Sequence, residues 1–142
     1  MKVFVDTWGW ITLSDGAEAQ HKAVEQILQD RGRVRGRVVT SDYVLDETFT
    51  LLFLRRPFAE AWRFSRGVMA DAASGMLRVE SVNLERFRGA LNLRQRFADK
   101  PGISFTDLTS MTIMQDLRIS DVLTGDAHFS QVGLGFRLRP GS

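Results

Sequence analysis

Val3-Phe4-Val5-Asp6, near the start of the chain, is the stretch that decides the fold. Its β-branched and aromatic residues predict a short buried strand, and an acid follows the strand directly. A similar order comes near the other end, where Val122-Leu123-Thr124 precedes Gly125-Asp126. Predicted strands alternate with predicted helices between these two stretches, which indicates an α/β sandwich with a largely parallel sheet.

The remaining elements follow from apolar periodicity and from helix start and stop signals. Further strands are predicted around residues 34–39, 77–82 and 136–138. Helices are predicted from the Asp15-x-x-Glu18 capping box to Gly32, over residues 43–54, 57–73 and 84–97, and after a Ser104 cap. A chain of 142 residues with this pattern is expected to form a single domain over residues 1–142.

The composition excludes several kinds of site. The chain has no cysteine, which excludes a disulfide scaffold, a thiolate nucleophile and a cysteine-bearing zinc site. Its two histidines, His21 and His128, are far apart in the sequence, and we interpret both as surface or packing residues. A metal ion bound by this chain is therefore expected to have oxygen ligands.

No part of the sequence indicates a membrane or an export signal. The longest apolar run, residues 51–54, is far too short to cross a bilayer. Asp6 comes too early for the apolar region of a signal peptide. We therefore expect a protein that is soluble, cytoplasmic and not bound to a membrane.

Four acidic residues fall where predicted strands end or predicted helices begin: Asp6, Glu47, Asp107 and Asp126. In an open parallel sheet, the carboxyl ends of strands and the amino ends of helices share one rim, where ligands bind. Carboxylates that converge to within about 4–6 Å raise one another's pKa, and a divalent cation between them relieves the repulsion. Carboxylate oxygens suit Mg²⁺ or Mn²⁺.

Each of these acids also has a local structural explanation. Asp6 is equally well placed as a helix N-cap, Asp107 as a partner of the Ser104 cap, and Asp126 as a turn residue. Glu47 is harder to explain in this way because it lies near an apolar stripe, where a buried acid needs a partner. Spacing alone leaves these alternatives open.

An arginine run and an early tryptophan are candidates for contacts with RNA. The arginines recur at every second residue: Arg31, Arg33, Arg35 and Arg37. On a strand they would share one face, which either binds RNA phosphates or forms a solvated edge protected by its charge. Trp8, beside Asp6, either packs in the core or stacks on a base.

Five blocks of sequence occur in the order found in one known family. They are Val3-Phe4-Val5-Asp6-Thr7, His21-Lys22-Ala23, Thr40-Ser41-Asp42-Tyr43-Val44-Leu45-Asp46-Glu47-Thr48, Ser104-Phe105-Thr106-Asp107, and Val122-Leu123-Thr124-Gly125-Asp126-Ala127-His128-Phe129. The ordered set resembles the PIN-domain nucleases, specifically the VapC-like toxins of bacterial and archaeal toxin–antitoxin pairs. This resemblance implies a three-layer α/β/α sandwich with a parallel sheet and a metal-dependent ribonuclease activity.

The resemblance also assigns roles to individual residues. The catalytic and metal-binding positions of the family map onto Asp6, Glu47, Asp107 and Asp126, with Mg²⁺ or Mn²⁺ as the cofactor. Thr7 and Thr124 resemble the hydroxyl residues that accompany those acids. Apart from the resemblance, Asp42 is interpreted as a helix cap and as a further supporting candidate. Trp8 stands where a small residue is common. The family further implies an RNA substrate cleaved to 5′-phosphate and 3′-hydroxyl ends, a small antitoxin partner and a homodimer.

The chemistry agrees with this resemblance independently. Hydrolysis of a phosphodiester requires a deprotonated water and stabilisation of charge on the phosphorus oxygens. Metal ions held by carboxylates supply both without histidine or cysteine. Two other functions stay open here: an RNA-processing nuclease of the same fold with no antitoxin, and a non-catalytic module that binds nucleic acid or protein. Retention of all four acids argues against the second.

Overall fold

The computed structural model describes residues 1–141 and contains a five-stranded sheet in which all neighbouring strands are parallel. The strands are β1 (Val3–Val5), β2 (Val38–Ser41), β3 (Arg78–Glu80), β4 (Asp121–Leu123) and β5 (Arg137–Arg139), in the spatial order β3-β2-β1-β4-β5. The central position of β1 explains its uninterrupted apolar sequence, because all three of its residues are fully buried. The edge strands β3 and β5 are only partly buried.

Seven helices connect and cover the strands within the described residues. They are α1 (Thr7–Ser14), α2 (His21–Gly32), α3 (Asp42–Arg55), α4 (Phe58–Ser74), α5 (Leu84–Arg96), α6 (Phe105–Leu117) and α7 (His128–Gln131). Right-handed crossovers, the rule for parallel strands, place the helices before β3 on one face of the sheet and those after it on the other. The predicted α/β sandwich is thereby confirmed. None of these helices, over residues 1–141, has the length and apolar character needed to span a bilayer.

The order of the strands creates a switch point between β1 and β4. From β1 the chain builds β2 and β3 on one side, and then returns to build β4 and β5 on the other. Val5 pairs with Leu123, and the backbone amide of Asp6 donates to the Leu123 carbonyl at 3.1 Å. The residues that follow these two strands therefore lie side by side, at the place where open α/β sheets bind their ligands.

The first helix differs from the sequence prediction. The Asp15-x-x-Glu18 capping box does not open a helix: Asp15 follows the end of α1, and its Oδ1 accepts from the Ala17 amide within a turn. The next helix begins only at His21. Residues 7–14 have no polar stripe, so helical periodicity could not reveal α1; such a sequence is typical of a helix that is largely buried.

The arginine run does not form a strand face. Arg31 belongs to α2, Arg33 and Arg35 lie in the turn that follows, and Arg37 precedes β2. The Val3 amide donates to the Arg37 carbonyl at 2.8 Å, which places this run at the amino ends of the strands. The interpretation of Arg33, Arg35 and Arg37 as a shared face is therefore wrong, and these residues lie at the rim opposite Asp6.

A buried acid fixes the amino end of β4. The Asp121 side chain is 1% exposed, and its carboxylate lies 2.9 Å from Arg31 Nη2, 2.9 Å from Arg137 Nε and 3.5 Å from Arg139 Nε. Burial alone would raise the pKa of Asp121, but the Arg31 hydrogen bond and the charges of Arg139 and Arg137 outweigh burial and lower it. Asp121 thus ties α2 and β5 to the centre of the sheet.

We expect Asp121→Asn to lower the free energy of unfolding by about 3 kcal/mol in urea denaturation, because the arginines around it lose a buried counter-charge. Asp116→Asn is the matched control. Asp116 is 51% exposed and pairs with Arg86 at 3.2 Å, so its loss should cost less than about 1 kcal/mol. Equal losses in the two variants would contradict a special role for Asp121.

Candidate active site

A cavity of about 460 Å³ opens at the carboxyl ends of β1 and β4. All four acids predicted from the sequence line it: Asp6, Glu47, Asp107 and Asp126. The rest of its wall is formed by Thr7, Trp8, Ile11, Leu51, Arg55, Gly102, Ser104 and Gly125. A larger cavity of about 580 Å³, between α1 and α4, contains none of these four acids. We call the first of these the acid cavity.

Asp6 reaches the acid cavity from the end of β1. It occupies the N-cap position of α1, but its carboxylate makes no capping hydrogen bond; instead Oδ2 accepts from Thr124 Oγ1 at 2.8 Å. Burial raises the pKa of Asp6 to about 6, with a smaller contribution from the charges of Glu47 and Asp126. The hydrogen bond from Thr124 and the nearby backbone amide of Thr7 oppose this rise. The N-cap alternative therefore explains the position of Asp6 but not the use of its carboxylate.

Asp107 lies in the first turn of α6. Its backbone amide donates to Ser104 Oγ at 3.0 Å, which confirms Ser104 as the cap, while its carboxyl group lines the acid cavity and is largely buried. Burial raises the pKa of Asp107 to about 8, and the charge of Asp6, a hydrogen bond with Asp126 and the charges of Asp126 and Glu47 add to the rise. Helix capping by Ser104 therefore uses the backbone amide of Asp107 and does not involve its carboxyl group.

Asp126 is held by its neighbours after β4. Its amide donates to Thr124 Oγ1 at 3.0 Å, and its Oδ1 accepts from the His128 amide at 2.9 Å. The His128 ring also lies close, with Nδ1 3.0 Å from the same oxygen. Asp107, Asp126 and His128 can each offer one ligand atom within 4.8 Å of the others. The sequence interpretation had set His128 aside, and its position two residues after Asp126 in a turn was the signal that it missed.

Glu47 faces the acid cavity from α3 but is exposed, so the expectation of a buried acid was wrong. Leu51 and Arg55 follow it at intervals of four residues, and both line the same cavity. Arg55 is a residue that the sequence analysis did not assign to the site. Its helical spacing from Glu47 was the available signal.

The two threonines predicted as supporting residues both lie next to the acids. Thr124 bridges Asp6 and the Asp126 amide, as described above, and Thr7 is buried with its Oγ1 accepting from Thr48 Oγ1 at 3.3 Å. These contacts limit the rotation of the Thr124 hydroxyl, since it donates to one acidic residue and accepts from another.

Asp42 does not belong to this group. Its Oδ1 accepts from the amides of Tyr43 and Val82 at 2.9 and 3.0 Å, and it is not part of the wall of the acid cavity. It therefore ties the segment after β3 to the start of α3. Ser41, and not Asp42, caps that helix, by accepting from the Val44 amide at 3.1 Å.

The raised pKa values of Asp6 and Asp107 predict how stability depends on pH when no metal is present. Between about pH 4 and pH 8 the native protein holds protons that the unfolded chain has released, so stability falls as pH rises through this window. Asp107→Asn removes part of this cost. Urea denaturation in EDTA should show the variant to be more stable than the unchanged protein by about 2 kcal/mol at pH 8, and by much less at pH 4.

Asp46→Asn, an exposed position on α3, is the control and should shift stability equally at both pH values. A stability difference for Asp107→Asn that does not change between pH 4 and pH 8 would argue against a protonated Asp107 in the acid cavity.

Comparison with known proteins agrees with the blocks of sequence described above. No protein-family model matches the chain. Two relatives, both named 23S rRNA-specific endonuclease VapC20 and coming from two strains of Mycobacterium tuberculosis, are 31% identical over 131 residues, which are 92% of this chain and 94% of each relative. The crystal structure of Mycobacterium tuberculosis VapC20, described as a sarcin–ricin loop cleaving toxin, matches with a TM-score of 0.79 at 31% identity and covers 96% of this chain and 99% of that one. The chain therefore belongs to the VapC-like toxins of the PIN-domain ribonuclease family.

Proposed function

We propose that this chain is the endoribonuclease toxin of a toxin–antitoxin pair and that it uses Mg²⁺ or Mn²⁺ in the acid cavity. One observation carries the proposal: four carboxylates from four separate segments line one cavity, and two of them have strongly raised pKa values. Mutual repulsion of this kind is relieved by a hard divalent cation. The VapC20 relatives, named as endonucleases of 23S rRNA, support RNA as the substrate.

The donor set of the acid cavity suits such an ion. We assign its ligation, direct or through water, to Asp6, Glu47, Asp107 and Asp126. The imidazole of His128 adds a nitrogen donor beside Asp126. When bound, the ion supplies Lewis-acid stabilisation of the phosphate and a water of lowered pKa.

The side chains of this chain then have separate tasks. Thr124 keeps one oxygen of Asp6 fixed and holds the backbone of Asp126. The hydrogen bond between Asp107 and Asp126 suits either carboxylate for positioning the attacking water. By analogy with the family, the products are a 5′-phosphate and a 3′-hydroxyl.

Arg55 is the cation of the cavity wall, and we assign it a contact with an RNA phosphate. Within residues 1–141 its guanidinium makes no ion pair or hydrogen bond. The next residue, Arg56, differs because it lies 3.1 Å from Asp15 and 3.5 Å from Glu60. An exposed, unpaired arginine at the mouth of a phosphodiesterase site is well suited to bidentate binding of phosphate.

The partners in this proposal are RNA, a small antitoxin and a second copy of the chain, and the place of action is the cytoplasm. Exposed apolar side chains support protein contacts. Phe58 and Trp62 on α4 are 69% and 50% exposed, and Leu84 and Leu91 on α5 are 64% and 55% exposed. A short reading frame directly upstream, encoding a DNA-binding partner, would separate a toxin from an RNA-processing nuclease of the same fold.

The first test is metal binding. Mn²⁺ at one hundred times its Kd should stabilise the protein by about 2.7 kcal/mol in thermal unfolding. Asp6→Asn should remove most of this gain because it loses a ligand, whereas the exposed control Asp46→Asn should keep it. An unchanged gain in Asp6→Asn would reject the metal assignment.

The second test is cleavage. With Mg²⁺ or Mn²⁺ present, we expect the protein to cleave one member of a panel of structured RNA hairpins, with the sarcin–ricin loop of 23S rRNA included because of the VapC20 relatives. Asp107→Asn should lower the rate by roughly a hundredfold or more without unfolding the protein. Full activity in Asp107→Asn would exclude its catalytic role, and binding without cleavage by the unchanged protein would favour the non-catalytic module.

The third test separates phosphate binding from chemistry. Arg55→Ala should weaken RNA binding roughly tenfold and reduce by about one the slope of log affinity against log salt concentration. Arg55→Lys should keep the charge and part of the affinity. Arg66→Ala, on α4 and outside the acid cavity, is the control and should behave like the unchanged protein. Equal salt slopes in the Arg55→Ala and control variants would contradict the contact.

A further inference from the structure

A second cavity, of about 400 Å³, adjoins the acid cavity, and of the residues that line it only Thr124 has a task in the site described above. It is lined by Trp8, Gln20, Thr124, Gly125, Leu138, Pro140 and Gly141. Trp8 and Gly125 line both cavities, so the indole lies between them. We call this second cavity the Trp8 pocket.

The indole of Trp8 lies against the backbone of Gly125. A Cβ at position 125 would come within 2.7 Å of Trp8 Nε1 and 2.9 Å of its Cδ1, so only glycine lets the ring occupy this place. The ring is half-buried, and its N–H makes no hydrogen bond to another group of residues 1–141. Trp10 provides the contrast, because its buried N–H donates to Thr40 Oγ1 at 3.1 Å. Trp8 therefore offers both a ring surface and an unused donor where the two cavities meet.

The other walls of the Trp8 pocket suit a flat, partly polar group. Leu138 and Pro140 supply apolar surface. Gln20 is exposed, and its side-chain amide has no hydrogen-bond partner in the described part of the chain, so it has a donor and an acceptor free to read a base edge. Among residues 1–141, no charged side chain lines this pocket, which disfavours a phosphate and favours a neutral ring.

We propose that the Trp8 pocket holds one unpaired RNA nucleobase, stacked on Trp8, next to the phosphate that is cleaved. This inference rests on the proposed ribonuclease function, since it places the base beside a phosphate in the acid cavity. Sequence-specific RNA recognition commonly takes an unstacked base onto an aromatic side chain and reads its edge by hydrogen bonds. Stacking on Trp8 binds the base, and the amide of Gln20 discriminates between bases.

The experiment uses the RNA that the protein cleaves, with an abasic nucleotide introduced at one position at a time on either side of the cleavage site. One abasic position should lower kcat/KM of the unchanged protein by roughly five- to one-hundredfold, the loss expected for one stacked base. Trp8→Ala should lower kcat/KM on intact RNA by the same factor. In this variant, the abasic nucleotide at that position should lower kcat/KM no further. Trp8→Phe should retain most of the activity.

Two further variants make the test specific. Gln20→Ala, at an exposed position, should change the preference among the four bases at that nucleotide and leave the rate on the abasic RNA unchanged. Trp62→Ala, an exposed tryptophan outside both cavities, should respond to the abasic nucleotide as the unchanged protein does. Melting temperatures of all variants identify any that fail to fold.

A binding measurement separates failure of this inference from failure of the proposed function. In EDTA, the intact form of this RNA should quench the tryptophan fluorescence of a Trp62→Phe variant more strongly than the form with the abasic nucleotide does. If cleavage is normal and the abasic nucleotide lowers the rate of Trp8→Ala as much as that of the unchanged protein, base binding in the Trp8 pocket is excluded. The proposed ribonuclease function would not be affected by that result. Equal quenching by the two RNAs would also exclude base binding in the Trp8 pocket.

Discussion

The acid cavity depends on one hydroxyl group. Thr124 Oγ1 donates to Asp6 at 2.8 Å and accepts from the amide of Asp126 at 3.0 Å, so it links the residues that follow β1 and β4. The pairing of Val5 with Leu123 sets the distance between those strand ends. Two acids that repel each other are therefore held together by a neutral group whose position the sheet itself fixes. The other carboxylates approach from α3 and α6, which lie between β1 and β4 in the chain.

The pKa values of buried aspartates are shifted in opposite directions at the two ends of the central strands. At the amino end, Asp121 is buried among three arginines, and they lower its pKa despite burial. At the carboxyl end, Asp6 and Asp107 are buried among other acids, and their pKa values rise. The first arrangement stabilises the fold, whereas the second costs stability until a cation or a proton is present. A carboxylate whose pKa rises in a cavity is a candidate for a functional group, whereas one whose pKa falls among arginines has a structural explanation.

The sequence predicted the features that depend on local pattern. The parallel sheet and the convergence of four acids followed from short apolar strands that end at acids, because strand ends share one rim. The prediction from the arginine run was wrong because a spacing of two residues occurs in turns as well as in strands, and here the run extends from the last turn of α2 into the turn before β2. The exposure of Glu47 and the position of Arg55 in the cavity wall depend on how α3 lies across the sheet. The Trp8 pocket joins Gln20 to Pro140, which lie 120 positions apart in the numbering, and no local pattern could bring them together.

The close approach of Trp8 to Gly125 couples the identities of two distant positions. A bulky ring at position 8 forbids any side chain at position 125, and a small residue at position 8 removes that restriction. In natural variants of this fold, the residues at positions 8 and 125 should therefore change together. A large aromatic residue at position 8 should occur with glycine at position 125, and a smaller residue at position 8 should allow other residues at position 125. The residue at position 125 thus indicates how large a side chain stands at position 8, and therefore how wide the acid cavity is beside Asp6.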